Sequence, residues 1–516
     1  MGVAFVLAAI GVSGAGESVV RQTVPVGAAE AVAATCASGV DPDYNGDGIR
    51  DIAIADPEAT VGGKARAGRI DVVYGGGKGT KRLDQDLAEV PGAAEAGDQF
   101  GFSLASFDVN EDGCDDLAVG IPHEAIGTAA DAGYVSVLYG SPTGLAQGTA
   151  AVSYSQDQEA VPGASEAGDW FGYSLAAGST GGQPFLIIGA PGEDLTTTEP
   201  MVDAGLVAYW RGGAFADIHQ DTAGVPGTVE KDDRFGAQVA ATSTHFAVSA
   251  PGEAVGTDTF AGGVGVFSHT YTGGVPNGVI GLDQDGVLSS GADVWGGAEP
   301  SDSFGKALAM VPFRSSGTGT PTESLLMVGV PGEDHPADAD GGQVQVFQVT
   351  AAGVVSERPV IHQNIVGVDG STEPGDLFGE RLAAVNTAPN SASTTATVLL
   401  AVGVPGEDVG NYRDAGAVQT FSLIGAPGDG DVWIEQGDAG TGGEAGPQEY
   451  FGTGLGATSA SLYLGVPYGP AADRAVYGLP WANVAPGGTA GTVQTWRPGE
   501  GGIPADDVTA FGAVVR

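Results

Sequence analysis

The sequence predicts an all-β fold built from seven similar units of four short antiparallel strands each. Two observations lead to this prediction. Short runs rich in Val, Ile and Leu alternate with turns rich in Gly and Pro along the 516 residues, without a sustained helical periodicity. Three short motifs also recur in a fixed order, seven times each. Glycine (89 residues) and proline (30 residues) are abundant, but 42% of the residues are hydrophobic, which favours packed strands over disorder.

The first motif is a Phe-Gly pair that opens a strand, as in FGYSLA. It recurs every 60 to 74 residues, at Phe100, Phe171, Phe235, Phe304, Phe378, Phe451 and Phe511. The second motif is an apolar run that ends in a proline turn, as in LIIGAPGED. Its prolines are Pro57, Pro122, Pro191, Pro251, Pro331, Pro405 and Pro467.

The third motif is a pair of small residues that opens an alternating strand, as in AGYVSVLYG and, in the last unit, AGTVQTWRP. A looser fourth element is a short strand that ends in Gln-Asp and is followed by a Val-Pro-Gly turn. Each unit is therefore expected to contribute four strands joined by Gly/Pro turns.

Seven four-stranded antiparallel units predict a seven-bladed β-propeller, because each sheet then buries its two faces against its neighbours. The first unit has no Phe-Gly pair of its own, whereas the pair at Phe511 has no unit behind it. We therefore expect the C-terminal strand 511–516 to join the first blade, which closes the ring and removes a free strand edge. A chance Phe-Gly pair in a frayed tail is the alternative.

The N-terminal segment 1–35 lies outside the repeats, and the propeller is expected to occupy 36–516. Residues 3–10 form a short apolar run followed by small residues, as in a signal peptide, although no basic residue precedes them; a plain tail is the alternative. The run is too short to span a bilayer, and we expect no membrane span. The pair Cys36 and Cys114 fits one disulfide in an oxidising compartment, so a secreted or cell-surface protein is expected.

The charge of the chain limits its partners. The formal net charge is −45, from 64 acidic and 19 basic residues. Such a field repels nucleic acid and anionic membranes, and we expect neither as a partner. A solvated acidic surface is the plain interpretation, and cations or basic proteins are the compatible partners.

The motifs resemble those of the FG-GAP repeat proteins, whose best-known members are the head domains of integrin α subunits. The name is present literally, as Phe-Gly at the seven positions and as Gly-Ala-Pro at 189–191. The connections between units resemble those of secreted bacterial FG-GAP proteins, and the resemblance covers about 36–516. It implies a seven-bladed propeller with calcium-binding loops that is extracellular and engaged in binding rather than catalysis.

Two departures limit the resemblance to integrins. The spacing of the motifs leaves no room for an inserted metal-dependent adhesion domain between the early blades. No leg domain or transmembrane segment is recognisable after the last Phe-Gly pair. We therefore expect no integrin-like β subunit as a partner.

Two loops, DYNGDGIRD (43–51) and DVNEDGCDD (108–116), share the pattern D-x-N-x-D-G-x-x-D. Each begins 14 residues before the proline of its unit, so both are expected between the first and second strands of a blade. Calcium needs about six to eight oxygen ligands from a tightly curled loop, and Gly at position 6 permits the turn. The predicted ligands of two calcium (Ca2+) sites are Asp43, Asn45, Asp47, the Ile49 carbonyl and Asp51, and Asp108, Asn110, Asp112, the Cys114 carbonyl and Asp116.

The all-oxygen donor set favours calcium over zinc or copper, and the family resemblance implies the same ion. Asn/Asp/Gly turns that hold no ion are the alternative. We expect the sites to pin a hairpin, and a direct bridge to a ligand is the second interpretation. Cys36 precedes the first loop and Cys114 lies within the second, so a Cys36–Cys114 disulfide would tie the N-terminal segment to the second blade.

No catalytic motif for nucleophilic, zinc-dependent or phosphate-cradling chemistry is present in the sequence. We therefore expect a calcium-binding, non-enzymatic propeller that acts as a binding or adhesion module for an extracellular protein or a glycan. The alternative is a secreted, calcium-dependent polysaccharide lyase or hydrolase, which would need a concentrated face of basic residues and carboxylates. The tryptophans are expected to pack within blades, with sugar stacking as the alternative.

Overall fold

The structure is a computed structural model that describes residues 36, 39–196, 199–485 and 488–516. The proposed signal segment 1–35 lies outside the described residues. Within them the chain forms seven four-stranded antiparallel sheets and one two-stranded hairpin. The strands are β1 (Ile52–Asp56), β2 (Arg69–Tyr74), β3 (Gly79–Leu83), β4 (Ser103–Phe107), β5 (Asp116–Ile121), β6 (Tyr134–Leu138), β7 (Val152–Tyr154), β8 (Ser174–Thr180), β9 (Gln183–Ala190), β10 (Leu195–Thr196), β11 (Pro200–Met201), β12 (Leu206–Arg211), β13 (Ala214–Ile218), β14 (Val239–Ala241), β15 (His245–Ala250), β16 (Gly263–Thr272), β17 (Val275–Leu282), β18 (Ala307–Phe313), β19 (Glu323–Val330), β20 (Gln343–Val349), β21 (Val355–Glu357), β22 (Arg381–Asn386), β23 (Val398–Val404), β24 (Ala417–Ser422), β25 (Val432–Ile434), β26 (Gly454–Ala457), β27 (Ser461–Gly465), β28 (Val476–Pro480), β29 (Gln494–Trp496) and β30 (Val514–Val515).

The sheets are the seven blades of a propeller. Blade 1 has the strand order β30-β1-β2-β3, and blade 2 comprises β4 to β7. Blade 3 has the order β8-β9-β12-β13, with the hairpin β10-β11 inserted between its second and third strands. Blades 4, 5, 6 and 7 comprise β14 to β17, β18 to β21, β22 to β25 and β26 to β29. Short 3-10 turns follow β2 (Gly75–Gly77) and β28 (Trp481–Asn483).

The blades close into a ring through their innermost strands. In order, β30, β4, β8, β14, β18, β22 and β26 each contact the next, and β26 contacts β30 again. A cluster of buried apolar side chains lies between each pair of neighbouring blades. No helix among the described residues is long and apolar enough to cross a membrane. The predicted seven-bladed all-β propeller is confirmed.

The Phe-Gly and small-residue motifs recur because they meet at the blade junctions. The backbone N–H of Phe171, which opens blade 3, donates to the Ala132 carbonyl of blade 2 at 3.0 Å. A Cβ on Gly133 would lie 2.3 Å from the Phe171 backbone, and Gly133 has a φ of +90°. Glycine is therefore required there, since it both adopts the left-handed conformation and leaves room for the neighbouring backbone.

The C-terminal strand completes blade 1, as predicted. In the antiparallel pairing of β30 with β1, Val515 lies opposite Ile54 and Val514 opposite Ala55. Backbone hydrogen bonds extend the pairing on both sides, from the Gly512 N–H to the Ala55 carbonyl (3.0 Å) and from the Ala53 N–H to the Arg516 carbonyl (2.7 Å). The first blade thus takes its innermost strand from the other end of the chain.

The last unit departs from the sequence prediction. AGTVQTWRP was predicted to open the third strand of that unit, but its residues Gln494–Trp496 form the fourth, outermost strand. The third strand is Val476–Pro480, and Arg474 stands where other units carry the motif glycine. The prediction was wrong because the unit lost its small-residue pair at the true position, and a similar pair occurs by chance before the outer strand.

Candidate functional site

The two aspartate loops lie side by side at one end of blades 1 and 2. Loop 1 (residues 43–51) leads into β1, and loop 2 (residues 108–116) connects β4 to β5. Because β1 and β5 are the second strands of their blades, the loops occupy equivalent positions, as the sequence predicted.

Loop 1 is curled around its own backbone N–H groups. The two carboxylate oxygens of Asp43 accept from the N–H of Asp47 (3.2 Å) and of Gly48 (2.7 Å). Asn45 Oδ1 also accepts from the N–H of Asp47 at 3.0 Å, and Asp47 Oδ1 accepts from the N–H of Ile49 at 2.8 Å. The side chains at positions 1, 3 and 5 are thus all turned toward the inside of the loop.

Loop 2 has the same four hydrogen bonds. Asp108 accepts from the N–H groups of Asp112 (3.1 Å) and Gly113 (2.9 Å). Asn110 Oδ1 accepts from the N–H of Asp112 at 3.0 Å, and Asp112 Oδ1 accepts from the N–H of Cys114 at 2.9 Å. Although half of the residues differ, the two loops therefore share one conformation.

The aspartate at position 9 is buried and ties each loop to its blade. Asp51 accepts from the Tyr44 N–H (2.9 Å) with one oxygen and from the Gly75 N–H (2.8 Å), just after β2, with the other. Asp116 accepts the equivalent pair of bonds in loop 2, at 2.9 and 2.8 Å. Burial raises the pKa of both carboxyl groups to about 7.

The donor set of each loop fits calcium. It consists of carboxylate, amide and carbonyl oxygens gathered in a nine-residue loop, and a carboxylate oxygen that accepts one N–H group keeps a lone pair for a cation. The three aspartates of neither loop bring carboxylate oxygens within 4.8 Å of one another; among the described residues, Cys36, Asp112 and Cys114 are the group whose ligand atoms do so. Its two sulfur atoms form a disulfide, so that cluster offers no thiolate to a metal.

Loop 1 packs directly against loop 2. The N–H of Asp43 donates to the Asp115 carboxylate at 2.7 Å, and the N–H of Asp115 donates to the Asp43 carbonyl at 3.0 Å. The Cys36–Cys114 disulfide, with a Cα–Cα distance of 5.1 Å, lies beside this contact. A Cβ on Gly46 would lie 2.5 Å from Cys36 Cβ, so the glycine of loop 1 makes room for the disulfide.

Tyr44 of loop 1 is wedged between blades 1 and 2. Its side chain is fully buried, belongs to the apolar cluster of these two blades, and shares a hydrogen bond of 2.7 Å with Ser106 Oγ. The N–H of Ser141 donates to the Tyr44 carbonyl at 3.2 Å. Loop 1 therefore fills the end of the junction that lies next to loop 2.

Buried glutamates form a second repeated feature, one that the sequence reasoning missed. The glutamate of the proline turn accepts a hydrogen bond from the glutamine at the end of the preceding blade. The hydrogen-bonded pairs are Gln85–Glu124, Gln156–Glu193, Gln220–Glu253 and Gln284–Glu333, and Gln363 lies beside Glu407 at the equivalent position.

Burial raises the pKa of each of these glutamates to about 7 or 8. Raised pKa values cluster at catalytic sites, but the same pair at five junctions indicates a structural role. The signal was present in the sequence, as a glutamine after the last strand of one blade and a glutamate in the proline turn of the next, 33 to 49 residues later.

One buried pair has the chemistry of a nucleophile and its base. His245 Nδ1 lies 3.0 Å from Ser324 Oγ. Both side chains are buried, and burial lowers the pKa of His245 to about 4. Because a substrate cannot reach this serine, the pair serves the packing of blade 4 against blade 5.

Comparison with known proteins agrees with the motifs. The family model described as "FG-GAP repeat" matches residues 100–138. The chain is 33% identical over 156 residues to the phosphatidylinositol-glycan-specific phospholipase D of Bos taurus and 38% identical over 106 residues to that of Rattus norvegicus. It is 33% identical over 161 residues to integrin alpha-PS5 of Drosophila melanogaster. These matches cover 20–30% of the chain and only 13–18% of the relatives' own length.

Among solved structures, the chain aligns with a putative 6-phosphogluconolactonase from Bacteroides uniformis, at 11% identity and a TM-score of 0.41, covering 90% of this chain and 99% of that one. Another is the periplasmic gluconolactonase of Pseudomonas aeruginosa, at 13% identity and a TM-score of 0.41, covering 90% of this chain and 98% of that one. These scores are too low to carry a conclusion about activity.

The fold and its recurring motifs define a seven-bladed β-propeller of the repeat class. The family model matches the second unit directly, at residues 100–138, and the same motifs recur in the other units, so the chain carries repeats similar to those of FG-GAP proteins and integrin α subunits.

Proposed function

We propose that this protein is an extracellular, calcium-binding β-propeller that acts as a binding module for an extracellular protein or a glycan. The observation that carries the proposal is the duplication of the aspartate loop. Two loops of different sequence hold the same four internal hydrogen bonds at equivalent positions of adjacent blades. A turn with no further role would have no reason to retain the same carboxylates twice.

The residues proposed to hold calcium are those that the loop pattern selects: Asp43, Asn45, Asp47, the Ile49 carbonyl and Asp51 in loop 1, and Asp108, Asn110, Asp112, the Cys114 carbonyl and Asp116 in loop 2. When bound, the ion would cross-link these oxygens and offset local negative charge in a chain of net charge −45. The buried aspartates at position 9 hold the loops on their blades, and the disulfide holds the loops together.

Secretion is part of the proposal. It is supported by the Cys36–Cys114 disulfide, because disulfides persist mainly in oxidising compartments, and by the apolar segment at 3–10. Calcium at extracellular concentration would then be available to both loops.

The proposed role is non-catalytic. The relatives named phospholipase D are matched over less than a fifth of their length. Their activity is therefore a property of those whole proteins and is not assigned to this chain. The Ser324–His245 pair is buried, and the raised pKa values recur at equivalent junctions rather than at one site. No particular observation favours the alternative of a polysaccharide lyase or hydrolase.

Calcium titration tests the proposal. We expect calorimetry of the calcium-free chain to show two ions bound, and the melting temperature to rise with calcium and fall with EDTA. Asp47→Ala and Asp112→Ala should each remove one ion, and both side chains are exposed, so the substitutions leave the core intact. The control is Asp157→Ala, an exposed aspartate outside the loops. Absence of both binding heat and stabilisation would refute the calcium sites.

A further inference from the structure

The junction between blade 7 and blade 1 is open at the end that carries loop 1. A groove of about 640 Å³ lies there between the facing sheets. We call it the seam groove, and its defining side chains are Arg50, Val73, Ser461, Tyr463, Gln494 and Trp496.

Blade 7 brings no aspartate loop to this end of the junction. At the next junction, Tyr44 of loop 1 fills the corresponding space between blades 1 and 2. In blade 7, β26 is joined to β27 by a tight turn of three residues, 458–460, which contributes no such wedge. A hydrogen bond at the rim spans the two blades, from the guanidinium of Arg50 to Ser459 Oγ at 3.1 Å.

One wall of the groove is aromatic. Trp496, on the outermost strand of blade 7, is half-buried, and its ring centroid lies 6.0 Å from that of the buried Tyr463. The indole lies over Gly478, where a Cβ would come within 3.0 Å of two ring carbons. Glycine at this position therefore leaves room for the indole, and Trp496 lines the groove.

The rim of the groove is polar and carries both donors and acceptors. Arg50 lies on the blade 1 side, and Gln494 and Glu500, both exposed, lie on the other side. Arg50 has further N–H groups beyond the one bonded to Ser459, Glu500 offers acceptors only, and Gln494 offers both. A ligand with several hydroxyl groups, each able to donate and accept, matches such a rim.

We propose that the seam groove binds an oligosaccharide. A pyranose ring has an apolar C–H face that packs on an indole and a circumference of hydroxyl groups that bond to Arg50, Gln494 and Glu500. The volume lies within the range of about 300–1,000 Å³ that is usual for ligand pockets. The inference rests on the proposed function, because it names the site and the ligand class of the binding module.

Loop 1 forms part of this site. Its last three residues, 49–51, line the groove, and Asp51 holds the floor by accepting the Gly75 N–H at 2.8 Å. Calcium in loop 1 would therefore support the groove, whereas calcium in loop 2 lies against the closed junction. We expect Asp47→Ala to weaken saccharide binding more than Asp112→Ala, the equivalent change in loop 2.

Titration with defined sugars tests the site. The probes are cellohexaose, chitohexaose and a hexamer of galacturonic acid, which distinguish neutral, acetamido and acidic sugars, and binding is followed by calorimetry and tryptophan fluorescence. We expect the chain to bind at least one of them, Trp496→Ala to weaken that binding about tenfold or more, and Trp496→Phe to retain most of it. Trp433→Ala is the matched control, since Trp433 is a half-buried tryptophan on the outermost strand of blade 6.

Each outcome bears on one proposal only. If none of the three sugars binds, the saccharide assignment is overturned, while the calcium titration still decides the proposed function. If a sugar binds equally to the Trp496→Ala and Trp433→Ala variants, the binding module stands and the seam groove is excluded as its site. If Trp496→Ala fails to fold, Gln494→Ala tests the same site, because the Gln494 side chain is exposed and lines the groove. It should weaken binding of the sugar if the groove is the site.

Discussion

The two junctions on either side of blade 1 are built differently. Between blades 1 and 2, fifteen buried apolar residues form the core, Phe100 packs against Gly68, and Gln85 donates to Glu124. Between blades 7 and 1, the core has seven buried residues, the smallest among the seven junctions of the described chain. Arg474 replaces the motif glycine there, and Ala59 stands where blade 2 has its glutamate.

We call the junction between blades 7 and 1 the seam and the other six the regular junctions. At the seam, polar contacts accompany the smaller apolar core. Both oxygens of Asp56 accept backbone N–H groups of the C-terminal segment, from Thr509 and Ala510, at 2.8 Å each. The guanidinium of the buried Arg69 donates to the Asp506 carbonyl at 2.6 Å. Residues 497–513 connect β29 of blade 7 to β30 of blade 1, and these directional bonds fix that connection on blade 1. The smaller apolar core leaves the seam groove open beside it.

Removal of the closing strand should break the seam and have the largest effect. A chain that ends at Ala510 loses the innermost strand of blade 1 and the fully buried Phe511, and it exposes the edge of β1. Loss of the phenylalanine alone costs about 3–5 kcal/mol, a large part of the stability of a typical domain. We expect a markedly lower melting temperature and rapid proteolysis.

Single substitutions distinguish the effect of losing the whole C-terminal strand from the effect of losing the Phe511 ring alone. Phe511→Ala and Phe235→Ala both delete a buried Phe-Gly ring, one at the seam and one at a regular junction. The truncated chain should melt well below both variants. If it melts with the full-length chain and resists protease equally, the C-terminal strand does not close the ring.

Substitution of Asp71 should weaken the seam by an intermediate amount. The buried carboxylate lies 3.2 Å from Arg82 Nε and 3.7 Å from Arg69 Nε. Asp71→Asn removes the buried counter-charge beside Arg69, while Arg82 keeps Asp506 as a partner at 3.3 Å. Loss of one member of a buried ion pair costs about 3–5 kcal/mol. We expect a lower midpoint of urea unfolding, followed by tryptophan fluorescence.

The exposed pair Lys64–Asp86, with an N–O distance of 3.2 Å, gives the matched control. Asp86→Asn should cost about 0–1 kcal/mol, as is usual for surface ion pairs. Equal effects of the two substitutions would show that the seam does not depend on its buried charges.

The regular junctions could be predicted from sequence, and the seam only in part. The seven Phe-Gly pairs predicted the number of blades, because each repeat makes the same local packing contacts. The pair at Phe511, which has no repeat unit behind it, predicted the closing strand. The two aspartate loops were placed correctly for the same reason. The third strand of the last unit was misplaced because Arg474 had replaced the residue that marks it in every other unit.

Features that depend on what faces a residue across a junction were not predicted. The Gln–Glu pairs join residues 33 to 49 positions apart in different blades, and only the ring brings them together. The seam groove lies where blade 7 brings no loop like loop 1 and where Trp496 packs over Gly478. A sequence lists both residues, but it does not show which space remains unfilled.

The regular junctions should respond to pH, and this is the smallest expected effect. Burial, with Asp169, Glu166 and Asp217 nearby, raises the pKa of Glu193 from 4.5 to about 8, although the hydrogen bond from Gln156 opposes the shift. Because the folded state holds this proton more tightly than the unfolded state, the stabilisation is complete below about pH 4.5 and is lost as the pH rises through about 8. The melting temperature should therefore fall by a few degrees between pH 5 and pH 8.5.

Glu193→Gln shows how much of the pH dependence of the melting temperature comes from Glu193, since other carboxyl groups titrate in the same range. The amide keeps the size of the side chain but cannot ionise, so the fall in melting temperature between the two pH values should become smaller. Glu159→Gln, an exposed glutamate at the end of the same preceding blade, should leave the fall unchanged. Identical pH profiles for the two variants would mean that Glu193 is ionised in the folded chain. The regular junction would then hold a charged carboxylate, as the seam does. The contrast between a charged seam and protonated regular junctions would then be lost, and only the difference in apolar burial would distinguish them.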